Sequence, residues 1–256
     1  MATQAEARKT TYNGKEVRMI LADLDCVAVE KINGSVLDSG KFGINGTFFN
    51  STGGNLLGVA VNNGVAVKSG GTQTADARVN GVTQPTRRGV MYHFNPRVGG
   101  LALDNRVVKS FTDYPGVGTS NAKSVKWAIG GISLHLTQNY TSTQYSNAIN
   151  ASPEYAANIG SSSQTGRTAI AFAALNGRST IILLTMKDAT LWDVREFLRS
   201  YGATTGVALD GGGSSQIRYR VNSSTVGQWE PKPDPNRSVY SMVTVNPTTW
   251  LTGKGF

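Results

Sequence analysis

Asp210 is the residue whose neighbours best equip it for chemistry. It closes the apolar run Val207-Ala208-Leu209 and opens Gly211-Gly212-Gly213-Ser214-Ser215-Gln216. Three consecutive glycines inside a packed strand weaken it through entropy and lost side-chain contacts. They suit a backbone that turns sharply or meets another group closely. Their uncrowded amides can form an anion-binding concavity, and the two serines add hydroxyls. A carboxylate at the C-terminal tip of a strand is also where α/β proteins tend to place ligands. Taken alone, the stretch reads equally well as a glycine turn with a capping aspartate.

Other candidates are scattered along the chain. Gly43–Asn50, G-I-N-G-T-F-F-N, joins the turn signal Asn45-Gly46 to two aromatics. A tight turn anchored by Phe48 and Phe49 would present Asn45 in a fixed orientation. Arg167 and Thr168 stand at the mouth of a hairpin spelled by 169–175, Asn176-Gly177 and 179–185. Gly130-Gly131, inside W-A-I-G-G-I-S-L-H-L, suggests a bulge or a backbone surface facing a ligand. Asp23 and Asp25 read as charges on a strand face; Arg87 and Arg88 could meet an anion but read first as solvated. Glu154, Asp188 and Glu230 read as surface acids rather than partners of Asp210.

Composition narrows the chemistry. The 256 residues are 39% hydrophobic and 16% charged, rich in Gly, Ser, Thr and Asn, and carry a net charge of +9. That charge suits an anionic partner such as nucleic acid, a phosphorylated sugar or an anionic cell-wall polymer. Basic residues are dispersed, with no recognition-helix pattern, so there is no dedicated nucleic-acid motif. Two histidines build no paired-histidine metal site. A lone Cys26 in an apolar run excludes an intramolecular disulfide and reads as a buried thiol. No apolar run approaches the roughly 20 residues that span a bilayer. The opening M-A-T-Q-A-E-A-R-K-T-T lacks the apolar core of a secretory signal, which points to a cytoplasmic or virion-associated setting rather than export.

The elements that must position these residues are mostly strands. Residues 1–16 are polar and read as a flexible terminus. Val17–Glu30 reads as one extended strand and Ile32–Leu37 as another, with further strands at 56–67, 87–95, 101–110, 127–136 and 237–245. Residues 137–165 lack a sustained period and read as an insertion or lid, with Tyr140, Tyr145 and Tyr155 free to stack on a ligand. One helix is expected over Leu191–Tyr201, capped by Asp188 or Thr190 and ended by Gly202. Its stripe Leu191, Val194, Phe197, Leu198 and Tyr201 faces the core. The expectation is a single mixed α+β domain over 17–256, α/β in its helix–strand–glycine-loop unit, with a strand-rich sheet core and few helices.

Four motifs, G-I-N-G-T-F-F, G-R-T-A-I-A, the helix feeding A-L-D-G-G-G-S-S-Q, and the terminal R-S-V-Y-S-M-V-T-V, resemble in order and spacing the phosphodiester glycosidase family. The resemblance runs over about residues 17–245. It implies a mixed α/β fold and cleavage of the glycosidic bond to phosphate in a sugar-1-phosphodiester, of the N-acetylglucosamine-1-phosphodiester kind, in a bacterial or phage setting. Carried over residue by residue, it implies Asp210, Arg167 and Asn45 as catalytic. Thr168, Gly211, Gly212, Gly213, Ser214, Ser215 and Arg237 become substrate-binding, with Gly130 and Gly131 as pocket wall. Thr47, Gly166 and Ala171 depart from the family pattern, which concerns pocket walls more than polar atoms.

The residue types fit that chemistry. A phosphate leaving group needs less protonation than a sugar alcohol. An arginine fork and backbone amides suit the anion. A carboxylate then activates water or stabilises an oxocarbenium-like centre. Asp210 takes that part, with Arg167 on the phosphate and Asn45 on the sugar or on Asp210. No cofactor is required, although Asp210 is also a possible ligand of a divalent cation. Two other classes fit the same residues: a catalytically idle glycan- or teichoate-binding module, and an enzyme acting on a nucleotide-derived signal.

Overall fold

The hairpin across Asn176-Gly177 sets the centre of the fold. In the computed structural model, which describes residues 2–98, 101–115, 117, 125–159, 163–234 and 237–256, strand Thr165–Leu175 pairs antiparallel with Arg178–Ala189. Asn176 and Gly177 take φ of 49° and 74°, the left-handed pair that a two-residue hairpin turn requires. Both strands are buried on both faces. Ile170, Ile181 and Leu183 point to one core and Ala169, Ala171, Ile182, Leu184 and Met186 to another. That is why their sequences are nearly unbroken apolar runs.

Among the described residues this hairpin lies within an 11-stranded sheet. Its order is 101–108, 88–98, 125–133, 203–208, 165–175, 178–189, 15–23, 4–12 and 249–254, with the short strands Ala60–Asn62 and Val65–Ala66 branching from Val125–Ser133. A five-stranded sheet, in the order 226–229, 217–220, 43–45, 239–245 and 27–34, packs on one face. Helices α1 (Ser142–Asn150) and α2 (Leu191–Ser200) cover the other. The protein is therefore mainly β, and the α/β description fits one unit. Arg178–Ala189, α2 and Ala203–Ala208 form a crossover between two strands that are each antiparallel to Thr165–Leu175 between them. Thr190 and Asp193 cap α2 reciprocally. Leu191, Val194, Phe197 and Leu198 are buried, and Gly202 at φ 74° ends the helix.

Several expectations are corrected. The N-terminus is not flexible through residue 16. Gln4–Tyr12 is a strand, antiparallel to Lys15–Asp23 and parallel to Thr249–Lys254. Its polar appearance reflects a strand next to the sheet edge, in which Ala5 and Ala7 face the core and the residues between them are only half-buried. The run from Val17 to Glu30 is two strands, broken at a 3-10 turn over Leu24–Cys26 where the chain passes from the large sheet to the small one. The second strand runs on to Gly34, so Ile32–Leu37 is no separate strand: it holds the end of this one and the start of a turn over 36–38. Within 137–165, Thr141 and Gln144 form a capping box for α1, and Tyr145, Ile149 and Ala156 pack into the core beside α2. The segment is thus part of the helical layer rather than wholly an insertion. Residues 160–162 lie outside the described residues, as do Pro235 and Asn236 of the P-K-P-D-P-N loop. No described helix is long and apolar enough to cross a membrane.

Candidate active site

The glycine stretch begins where strand Ala203–Ala208 leaves the large sheet. Leu209 donates its amide to the Thr168 carbonyl (2.8 Å) and Asp210 to the Gly46 carbonyl (3.2 Å). The backbone then winds into a single 3-10 turn over Gly212–Ser214. Ser214 and Ser215 donate their amides back to Gly211 and Gly212, and the Gly211 amide donates to Asp210 Oδ1 (3.1 Å). The Gly212 and Gly213 amides have no partner among the described residues. Gly212 takes φ of 63°, a conformation glycine adopts without strain.

Gly211 and Gly212 at the start of this turn, with Asp210, Arg167 and Arg237, line a cavity of about 480 Å³. Phe48, Phe49, Leu57, Ile132, Leu191 and Leu209 form its apolar part, while Ser163, Gln164, Thr165 and Lys232 complete the lining. Among the described residues Asp210 is the one acid on its wall. Burial pushes the Asp210 pKa up to about 6, against the opposing pull of the Ser214 hydroxyl, the Arg237 charge and the Gly211 amide. A carboxylate held near 6 is ionised at neutral pH and still basic enough to accept a proton.

The two arginines are held differently. Arg167, 5% exposed, donates Nε to the Ala189 carbonyl (3.1 Å) and Nη2 to the Ser163 carbonyl (2.6 Å). Burial pulls its pKa down. Arg237 donates Nε to Ser214 Oγ (2.8 Å) and lies over the Phe49 ring at 5.0 Å. Its two Nη atoms have no partner among the described residues.

Asn45 is 1% exposed and sits behind the cavity. Its Nδ2 donates to the Asp210 carbonyl (2.8 Å), and its Oδ1 accepts from Thr168 Oγ1 (2.9 Å) and the Gln216 amide (3.1 Å). Of the two places expected for it, on the sugar or on Asp210, the geometry has it tie both ends of the glycine loop to the small sheet. Thr168 is likewise fully buried. Asn45-Gly46 is no hairpin turn, since Asn45 ends strand Gly43–Asn45 and Gly46 presses on Ser241, whose hydroxyl a Cβ would strike. Gly213 packs on Asp234, and Ser214 and Ser215 are fully buried.

Gly130 and Gly131 do not face the cavity. A Cβ on Gly130 would lie 2.8 Å from the Val59 amide nitrogen, and one on Gly131 would run into the Ala208 carbonyl oxygen. They are spacers between strands. Gly166 plays the same part, since a Cβ there would lie 2.9 Å from the Gly212 carbonyl oxygen.

Three further expectations change. Glu154 is not a surface acid: it is buried, accepts the Ser133 amide (2.9 Å) and stands 3.4 Å from His135 Nε2, away from the cavity wall. Arg88 is not solvated. It donates Nε to the Glu154 carbonyl (3.3 Å) and lies over the Phe48 ring at 5.5 Å, supporting the cavity wall from behind. Tyr145 donates its hydroxyl to the Ser133 carbonyl inside the core, out of reach of a ligand. Sequence reasoning missed the aromatic wall as such, although Phe48-Phe49 beside Asn45 was its signal.

The phosphodiester glycosidase pattern matches residues 39–246, most of the chain and all the cavity residues named above. The chain belongs to the phosphodiester glycosidase family. Its fold is similar to that of the zebrafish N-acetylglucosamine-1-phosphodiester alpha-N-acetylglucosaminidase catalytic domain, solved auto-inhibited by its pro-peptide. There the TM-score is 0.63 at 15% identity, over 95% of this chain and 82% of that one. It is also similar to a hypothetical protein from Synechocystis, with TM-score 0.53 at 13% identity, over 93% of this chain and 61% of that one. No curated protein matches by sequence. Family membership and fold support a hydrolase of the phosphodiester glycosidase type.

Proposed function

We propose that this phosphodiester glycosidase hydrolyses a sugar-1-phosphodiester, with Asp210 as its base. The observation that carries this reading is a wall carboxylate, held near pKa 6 and alone among the described residues, beside a guanidinium whose two Nη atoms have no partner among them. Asp210 takes a proton from water as the water oxygen bonds the anomeric carbon. The bond from that carbon to the phosphate oxygen breaks, its electron pair leaving with the phosphomonoester. Because phosphate is already a stable anion, the second carboxylate that most glycosidases use to protonate a leaving alcohol is unnecessary. This agrees with Asp210 standing without an acid partner on the described wall.

The apolar side of the cavity, Phe48, Phe49 and Leu57, suits the less polar face of a sugar ring. A divalent cation fits the donor set poorly. A single carboxylate flanked by Arg237 offers few of the six or more oxygens that calcium takes, and Arg237 already supplies the positive charge. Incubating the protein with a panel of sugar-1-phosphodiesters, anionic glycopolymers and nucleotide-derived signals, and weighing the products, tests the proposal. A free sugar together with a phosphomonoester is the expected result. Binding without turnover would instead make the chain a glycan-binding module, and a cleaved nucleotide would move the substrate class.

A further inference from the structure

Gripping a phosphate with an arginine needs two things: a guanidinium fixed in direction, and two parallel N–H donors left for the anion. Both arginines on the cavity wall meet the first condition. Arg167 meets it by turning Nε and Nη2 onto main-chain carbonyls, those of Ala189 and Ser163, so that it fastens the strand edge to the segment before it. Arg237 meets it with Nε alone, on Ser214 Oγ at 2.8 Å, while its plane rests on Phe49 and its Nη pair is left over. Ser214 itself is fully buried, so its hydroxyl touches no ligand. Through that hydroxyl it accepts from Arg237 and also acts on the neighbouring Asp210 carboxylate.

We infer that Arg237, rather than Arg167, is the fork that holds the departing phosphate, and that Ser214 is the positioning residue that aims it relative to Asp210. The inference rests on the phosphodiester glycosidase reading of the cavity and divides its labour. Arg237 meets the anion, Arg167 keeps the wall in shape, and Ser214 sets the geometry of fork and base together. As the bond to the anomeric carbon breaks, charge on the phosphate grows. A fixed fork is then worth more in the transition state than before it.

The test compares Arg237→Ala, Arg237→Lys, Arg167→Lys and Ser214→Ala in three measurements: calorimetric titration with inorganic phosphate, kcat and KM on the best phosphodiester of the panel, and thermal unfolding. Arg237→Ala is expected to lower kcat/KM about 10²-fold and to weaken phosphate binding at least tenfold, with unfolding close to wild type. Arg237→Lys keeps a charge but not two parallel donors, and should restore little. Arg167→Lys should chiefly lower the unfolding temperature.

Ser214→Ala should raise KM and also move the acid limb of the pH–rate profile to higher pH. Asp210 would lose a hydroxyl that favours its charged form, and a merely structural serine would not move that limb. The assignment is overturned if Arg237→Ala keeps wild-type kcat/KM and phosphate affinity, or if Arg167→Lys alone loses phosphate with its fold intact. An unmoved pH limb in Ser214→Ala overturns the positioning role. Should the wild type cleave no sugar phosphodiester yet lose phosphate binding on Arg237→Ala, the fork stands and the substrate reading falls. A wild type that does neither overturns both.

Discussion

Gly130-Gly131 and Gly211-Gly212-Gly213 both follow an apolar stretch of strand and meet near the same part of the large sheet, but their glycines serve opposite purposes. The first pair lies inside strand Val125–Ser133 because backbone from Val59 and Ala208 fills the space a side chain would need. At Gly212 a Cβ would meet only Thr165 Oγ1, at 3.8 Å. What glycine supplies there is a positive φ and an open amide at the cavity. The first run is glycine for packing; in the second, Gly212 serves backbone shape and an open amide, while Gly213 packs on Asp234. A ligand-facing surface can be argued from the second alone.

The comparison is sharpened most by removing the group that the second run serves. Asp210→Asn should lower kcat on a cleaved phosphodiester by about 10³-fold, the scale of losing a general base, with ligand affinity retained. Full turnover in that variant would leave the glycine turn without a chemical purpose. The two runs are then set against each other by stability. Gly131→Ala forces the Ala208 carbonyl away and is expected to cost about 3 kcal/mol or to prevent folding, as overpacking does. Gly212→Ala should cost about 1 to 2 kcal/mol, the left-handed backbone penalty of a side chain, read by urea unfolding. Equal costs would dissolve the distinction.

The burial of Asp210 also carries a stability cost. Its pKa is raised in the folded protein, from 3.8 to about 6, so the native state binds the proton more tightly than the unfolded chain. Stability therefore falls as pH rises from about 4 to 6, and the loss is complete above the folded value. At roughly 1.4 kcal/mol per pKa unit, the loss reaches about 3 kcal/mol. Asp210→Asn, which has no charge to bury, should be more stable than wild type at pH 8 by up to that amount, and not at pH 3. The same titration predicts kcat/KM rising with pH to a plateau above about 6. An enzyme equally active at pH 4.5 and pH 7 would take Asp210 out of the base role.

The smallest effect concerns the support behind the aromatic wall. Arg88→Met keeps the length beside Phe48 but loses the charge and the bond to the Glu154 carbonyl. A change of about 1 kcal/mol in unfolding, with at most a modest rise in KM, is expected. A large loss of kcat would show that the wall takes part in the chemistry.

Much was readable along the chain because it was decided locally. The hairpin at Asn176-Gly177 needs left-handed backbone at two adjacent residues, and α2 is marked by its apolar stripe, with Thr190-to-Asp193 capping and Gly202 at its end. Asp210 before three glycines announced a sharp turn for the same reason. Asn13-Gly14, at φ 49° and 75°, is an equally local signal for the first hairpin, and Thr141–Gln144 for α1. Both are easily passed over because the flanking residues are polar.

The rest depends on groups far apart in sequence, and only the tertiary structure decided it. Asn45 became a buried strut because Thr168 and the two ends of the glycine loop, Asp210 and Gln216, converge on its amide from distant parts of the chain. Arg195 reads as part of the polar face of α2. It is nevertheless fully buried, donating to the carbonyls of Leu134, His135 and Gln138. Which glycine touches a cavity and which a neighbouring strand depends on what lies opposite, and sequence spacing holds no record of that. By itself, then, the sequence determined the residue types, the turns and the carboxylate of the site. The division between side chains that face the cavity and those that hold its frame came from burial and from hydrogen bonds closed across the fold, which exist only once the two sheets have packed.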